Sequence, residues 1–349
     1  MNLSPNSNPA HTPVTQRPAV GPLCLVIAAL AFAAATAVAM QLTQLGEAHP
    51  VEGRNPISFC NVLFVGNLCA LLVLLPLYHQ PWTAGRWHSL TRPQWLALGA
   101  VALLSGALSP ALIFTALEYT DANTVLILGR LGPPLTLILG ALCFRQTLGV
   151  WTCLGAALAF GGGLVALAFH SPDPAPVMVM GGVGLGQGPV LVLLGTLSGV
   201  LGGLLSRAFL VALPLGIPLL VRHGAGTVIF FGIASVVFGP HHFQDAFSPV
   251  LWQWMLIYGG GIIALGQVCL AVGMRLTPLL PTHLVQSANP LLGLLANFVI
   301  LGQIPTAAQG WGMALILTGT LVSLVGWVTH PVQNRGMRMM AEAAVFRGV

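Results

Sequence analysis

Residues 122–146 read ANTVLILGRLGPPLTLILGALCFRQ, and residues 279–303 read LLPTHLVQSANPLLGLLANFVILGQ. At a shift of 157, without gaps, Pro133 falls on Pro290, Leu135 on Leu292 and Gln146 on Gln303. The same shift carries residues 95–165 onto 252–322, adding Trp95/Trp252, Thr120/Thr277, Gly155/Gly312 and Gly162/Gly319. Leu and Ala matches arise easily in an apolar chain; Trp, Pro and Gln matches do not. A second anchor, at a shift of 167, pairs Gly21-Pro22 with Gly188-Pro189. The chain therefore contains an internal repeat.

Both stretches are apolar over the ~20 residues that a helix needs to cross a bilayer core of about 30 Å. Ten such runs occur: 22–45, 56–78, 94–117, 121–144, 150–169, 189–210, 216–239, 250–274, 279–302 and 308–329. Transmembrane β-strands would show segments of about 10 residues with alternating polarity, so these runs predict helices. The 349 residues are 56% hydrophobic and only 5% charged, against about 25% charged in a soluble domain. With a mean hydropathy of +0.88, this excludes a soluble enzyme, a disordered chain and a disulfide scaffold. All eight Trp, at 82, 87, 95, 151, 252, 254, 311 and 327, stand near span ends or in short loops, as an interfacial aromatic belt requires.

Charge sets the orientation. All 12 basic residues are Arg. With the N-terminus inside, Arg17, Arg86, Arg92, Arg145, Arg207, Arg275, Arg335, Arg338 and Arg347 fall on the cytoplasmic side, and Arg54 alone falls outside. Glu47, Glu52, Glu118, Asp121, Asp173 and Asp245 then lie outside. This is the positive-inside pattern, and it predicts a multi-pass protein of the plasma (bacterial inner) membrane with both termini cytoplasmic. Each half has five spans, an odd number, so the second half inserts upside down. The expected fold is an all-α membrane protein of ten transmembrane helices, as two inverted five-helix repeats. The expected divisions are a disordered tail 1–20, a first repeat 21–170, an external linker 171–188, a second repeat 189–330 and a tail 331–349. Inverted repeats are a signature of secondary transporters.

The sequence resembles the drug/metabolite transporter superfamily, of the EamA type. The resemblance covers roughly residues 22–329. It is carried by the ten spans, by the pattern shared between spans 3–5 and 8–10, and by the two stretches quoted above. In the family these helices usually hold a central Pro and end in a Gly-Glu-like pair. Here Gln146 and Gln303 stand where the Glu is expected. The resemblance implies movement of small metabolites through a cavity lined by helices 1, 3, 4, 6, 8 and 9.

Three Arg lie within the spans. Arg207 and Arg222 stand near span ends, where a long side chain can snorkel to the interface. Arg130 is nine residues into span 4, about 14 Å deep. A charge there costs ~2.5–3.5 kcal/mol on insertion scales and marks a functional site by default. Asn123 shares its helix face. On span 9, His283, Gln286, Ser287, Pro290 and Asn297 form one polar stripe, and Arg130 maps onto Ser287 in the repeat. Pro133 and Pro134 withhold donors from the carbonyls of Gly129 and Arg130, as Pro290 does from that of Gln286. Spans 4 and 9 are thus expected to kink at matching places around a cavity.

The reading is a secondary transporter that works by alternating access, with an amino acid or other small carboxylate as the favoured substrate. The guanidinium of Arg130 would hold the anionic group. No acid lies deeper in the spans than Asp121, the first residue of span 4, so exchange or facilitated transport is expected, or weak proton coupling through His283. Other readings are weaker. An intramembrane enzyme would need paired acids, Ser-Lys or HExxH, and none is present. A non-transporting scaffold would show no flux. GVGLGQG (182–188) follows no strand pattern and reads as linker, and His241-His242 lacks a third metal ligand. The six Cys sit in apolar runs without metal-ligand spacing. No cofactor, metal or catalytic residue is expected. The expected partners are a small-molecule substrate and the lipid bilayer, with a homodimer admitted and no nucleic acid.

Overall fold

The structure is a computed structural model. It describes residues 20–50, 55–79, 87, 90–144, 149–168, 176–180, 183–210, 212–237, 248–277 and 279–329. The two tails expected at the termini lie outside the described residues. Ten helical passages follow in order: α1 (Val20–Ala48), α2 (Phe59–Leu77), α3 (Arg92–Ala116), α4 (122–144), α5 (Val150–Ala168), α6 (Gln187–Leu210), α7 (Gly216–Val237), α8 (249–276), α9 (Leu279–Leu301) and α10 (Ala307–Thr329). Among the described residues, eight are long and apolar enough to cross a membrane; α9 and α10 have 23 residues each. Polar residues at the interfaces start several of them. Asp121 caps α4 by accepting from the Thr124 N–H at 2.9 Å. Thr306 and Gln309 hold the first turn of α10 reciprocally, at 2.9 and 3.2 Å.

One element departs from the all-helical reading. Within the expected linker, β1 (Pro176–Met180) and β2 (Val183–Gly186) pair as an antiparallel hairpin, and α6 already begins at Gln187. The Val-Met-Val-Met run at 177–180 supplies unbranched and β-branched apolar residues suited to a pleated ribbon, a signal hidden by the surrounding Pro and Gly.

The halves are joined by reciprocal contacts. A Cβ on Gly155 of α5 would strike the Gly319 carbonyl of α10, and one on Gly162 would strike that of Gly312. Because Gly155 and Gly312 are repeat mates, as are Gly162 and Gly319, each contact is the inverted image of the other. The order also makes α5 and α10 antiparallel. A second such pair sits at the helix starts. Gly21 of α1 is seated against Thr277 at the end of α8, and its mate Gly188 of α6 against Thr120, past the end of α3. Lipid is as apolar as Leu, so helices in a membrane associate through close backbone approach rather than hydrophobic burial, and glycine at these crossings permits it.

α1 packs along α8 and α9, and α6 along α3 and α4. α2 packs with α7. Two π-helical stretches occupy overlapping repeat positions, Ala102–Leu108 in α3 and Leu256–Ala264 in α8. Each lies where a helix of the other half packs against it: Gly106 faces Arg222 of α7, and Gly259 faces Gly66 of α2. The backbone groups loosened there find partners, as when the Ser198 hydroxyl of α6 donates to the Leu104 carbonyl at 2.9 Å.

Candidate functional site

The middle of α4 is broken. Its helical parts are Ala122–Gly129 and Gly132–Phe144, with Arg130 capping the first. The Arg130 N–H reaches back only three residues, to the Ile127 carbonyl at 3.1 Å, and that of Leu131 to Leu128 at 3.0 Å. Pro133 and Pro134 have no N–H to offer the carbonyls of Gly129 and Arg130. The Arg130 side chain is half-buried at this break. Among the described residues no acid forms an ion pair with it. Asp121, at the start of the same helix, has its carboxylate engaged by the Thr124 hydroxyl at 2.7 Å and by the Gln309 amide of α10 at 3.2 and 3.4 Å.

α9 runs antiparallel to α4. The amide of Asn297 donates to the Asn123 carbonyl oxygen at 2.9 Å, with both side chains buried. One turn on, Gly293 faces the Leu126 side chain. Continuing this register brings Arg130 level with Asn289 and Pro290. There the Asn289 side-chain oxygen is buried without a hydrogen-bond partner. From α6, Thr196 lays its methyl against Gly132, and its buried hydroxyl also lacks a partner. By register, then, Arg130, Asn289 and the Gly132 that Thr196 touches stand at about one level of the bundle, with the two carbonyls that proline leaves without a helical donor. Unpaired polar groups are costly in a low-dielectric setting, so a ligand supplying a carboxylate and N–H donors would relieve several of them at once.

The sequence-derived residues distribute as follows. Asn123 and Asn297 come together and bond to one another. Arg130 lies about two turns deeper along α4. Pro134 is buried, while Pro133 is exposed; both border a crevice shared with Gly155 and Gly319. The helix of α9 continues through Pro290. His283, Gln286 and Ser287 lie on that helix, but their side chains are outside the described residues.

A second polar cluster emerges from the fold. His223 of α7, only 3% exposed, stands between Asn67 of α2 and Gln267 of α8, at 2.8 and 3.1 Å. The adjacent Arg222 is half-buried, with its Cγ 3.0 Å from where a Cβ on Gly106 would stand. Sequence reading passed over His223 and gave Arg222 a purely interfacial role. No pattern along the chain marked His223, because its partners Asn67 and Gln267 arrive from two other helices.

Ten helices in two inverted halves, with polar groups gathered inside the bundle, define a multi-pass membrane protein of the kind that moves small solutes. Residues 20–168 match the EamA-like transporter family. The uncharacterized transporter sll1164 of Synechocystis sp. is 36% identical over 304 residues, covering 87% of this chain and 86% of that one. A crystal structure of a protein with 18% identity superposes at a TM-score of 0.55, covering 87% of this chain and 96% of the other, a likeness of fold. The chain belongs to the EamA-like transporter family, within the drug/metabolite transporter superfamily, and is a membrane transporter.

Proposed function

We propose that the chain is a secondary transporter of an amino acid or another small carboxylate, and that it works by alternating access with its site between α4 and α9. The observation that carries this reading is Arg130: a half-buried guanidinium at a broken helix, with no ion-pair partner among the described residues. Its fork of donors matches a carboxylate in two-point contact. The unpartnered oxygens of Asn289 and Thr196, with the freed carbonyls of Gly129 and Arg130, suit the ammonium group of an amino acid. His283, Gln286 and Ser287 complete the α9 side of the site, and the Asn123–Asn297 pair closes its outer end. The halves 21–170 and 189–330 rock against one another in the plasma membrane, with both termini cytoplasmic and 171–188 outside.

Two measurements test this. Proteoliposomes holding the purified protein should accumulate or exchange at least one member of a radiolabelled amino-acid and small-carboxylate panel, and Arg130→Ala should lose that flux while inserting normally. A well-folded Arg130→Ala protein that carries the anion at the wild-type rate would eliminate the site. In a background freed of native cysteines, Asp173→Cys should be labelled from outside intact cells. Labelling only after lysis would reverse the orientation.

A further inference from the structure

We propose that His223, held between Asn67 and Gln267, is an intramembrane proton-binding site that couples a proton to the solute movement; this rests on the transport reading above. The ring lies about 11 Å along α7 from its first residue, at 1.5 Å per residue. Asn67 belongs to the first half, and His223 and Gln267 to the second, so the cluster spans the surface along which the halves would move.

The hydrogen-bond geometry is that of a site with two charge states. The amide nitrogen of Asn67 donates to the Leu63 carbonyl at 2.6 Å, which turns its oxygen toward Nδ1 of His223 at 2.8 Å. Gly226 leaves the room for this: a Cβ there would stand 3.0 Å from that oxygen. Nδ1 therefore carries a hydrogen in both states. Nε2 is 3.1 Å from the side-chain oxygen of Gln267. With a hydrogen on Nε2, the ring is an imidazolium and donates to that oxygen. With Nε2 bare, a half-turn of the Gln267 amide presents its NH2 to the lone pair. Both states keep two hydrogen bonds without backbone movement.

The charged and titratable groups on the packed helices are few. α7 brings Arg222, α2 brings Cys60 and Cys69, and α8 brings Tyr258 and Cys269, with Arg275 at its last turn; α3 adds Arg92 at its far end. No carboxylate stands on the described parts of these four helices to offset a second cation beside Arg222. An anionic solute would offset it, so proton and anion are expected to move in the same direction. In the balanced step, a proton from water on the open side bonds to Nε2 and the Gln267 amide turns. After reorientation the N–H bond breaks to water on the other side, and the neutral ring returns. The sequence offered His283 for weak proton coupling, as the alternative to exchange or facilitated transport; its side chain lies outside the described residues.

The test uses the full-length protein with 15N-labelled histidine in nanodiscs. The His223 ring signals are those absent from His223→Gln, or, should that variant fail to fold, those moved by Gln267→Glu. We expect an Nδ1–H tautomer near pH 8 and reversible conversion to imidazolium toward about pH 5, where histidine chemistry allows it. Gln267→Glu should shift the midpoint up by about one pH unit. A ring that stays neutral throughout this range in both folded proteins overturns the proposal. In proteoliposomes given the radiolabelled L-amino acids and small carboxylates, an acid-outside gradient should speed uptake several-fold in the wild type. His223→Gln should lose that acceleration and keep exchange at equal pH; retained acceleration overturns the proposal. If no member of the panel moves under either condition, the Arg130 substrate reading falls, and the ring titration still decides His223.

Discussion

α4 and α9 hold equivalent places in the two halves, yet one is broken and the other is continuous. α4 carries Gly129, Gly132 and two successive prolines at mid-helix, whereas α9 carries the single interior Pro290, with Pro281 in its first turn and Gly293 three residues past Pro290. A proline inside a helix costs ~3 kcal/mol or more, and a glycine about 1 kcal/mol relative to Ala. Two adjacent missing donors leave two carbonyls bare, and the chain turns through Arg130 and Leu131 instead. A single proline in a membrane helix is absorbed by local adjustment and neighbouring groups. The break coincides with the charge: Arg130 stands in α4 where α9 has Ser287. An inverted repeat thus supplies two equivalent scaffolds, and the function is read from where they stop being equivalent.

The largest expected effect separates the two mates directly. Arg130→Ala removes a charge-assisted contact worth up to ~3 kcal/mol, which corresponds to about 100-fold in uptake rate at low substrate concentration. Ser287→Ala should change it by about fivefold or less, since a neutral hydroxyl contact is worth ~1 kcal/mol or less. Arg130→Lys should fall between, because an ammonium cannot make the two-point contact. Initial rates in proteoliposomes measure all three. Equal losses at Arg130 and Ser287 would mean that the halves share the anion evenly.

A smaller effect is expected from mending the break. Pro133→Ala with Pro134→Ala restores two backbone donors and should raise the thermal midpoint in detergent. It should also lower uptake about tenfold, because the Gly129 and Arg130 carbonyls would return to the helix; one lost hydrogen bond of ~1.5 kcal/mol has that size. Pro290→Ala should move both quantities less. If the double variant transported at the wild-type rate, the break would be a packing feature only.

Much of this architecture was legible in the sequence because the bilayer imposes simple rules. The ten apolar runs match the ten helical passages to within three residues at each end. The repeat also marked the glycines of the α5–α10 contact, since the identities Gly155/Gly312 and Gly162/Gly319 supply the crossed contacts Gly155–Gly319 and Gly162–Gly312. Other features depend on facts that no linear pattern carries. Equal proline kinks in spans 4 and 9 were expected, but whether a helix breaks depends on how many donors are lost together. The 177–180 strand is too short to stand out from a Pro- and Gly-rich linker. His223 was hidden because a lone histidine in an apolar helix acquires meaning only when Asn67 and Gln267 arrive from two other helices. The polar stripe on span 9 placed Asn297 correctly on an inner face, without showing that its partner would be Asn123.

That asparagine pair gives the smallest effect and the finest discrimination. Asn123 sits above Arg130 on α4, and Asn297 faces it from α9, both buried and joined at 2.9 Å. If the pair fastens the outer end of the α4–α9 interface, either single substitution to Ala leaves one buried amide unsatisfied. The cost would be about 1–3 kcal/mol of stability. The double substitution removes both partners and should cost little more than the worse single. The coupling in a double-mutant cycle should then approach the smaller single cost, about 1 kcal/mol or more, toward the ~1.7 kcal/mol upper end seen for membrane helices. Uptake per folded molecule should change by less than threefold, since a hydrogen bond satisfied within the protein has little left to offer a substrate. Thermal denaturation in detergent and proteoliposome flux on the same preparations supply both numbers. Singles that keep full stability but lose uptake as heavily as Arg130→Ala would move the pair from fastening the interface to holding the substrate, and would extend the site from the break in α4 to its outer end.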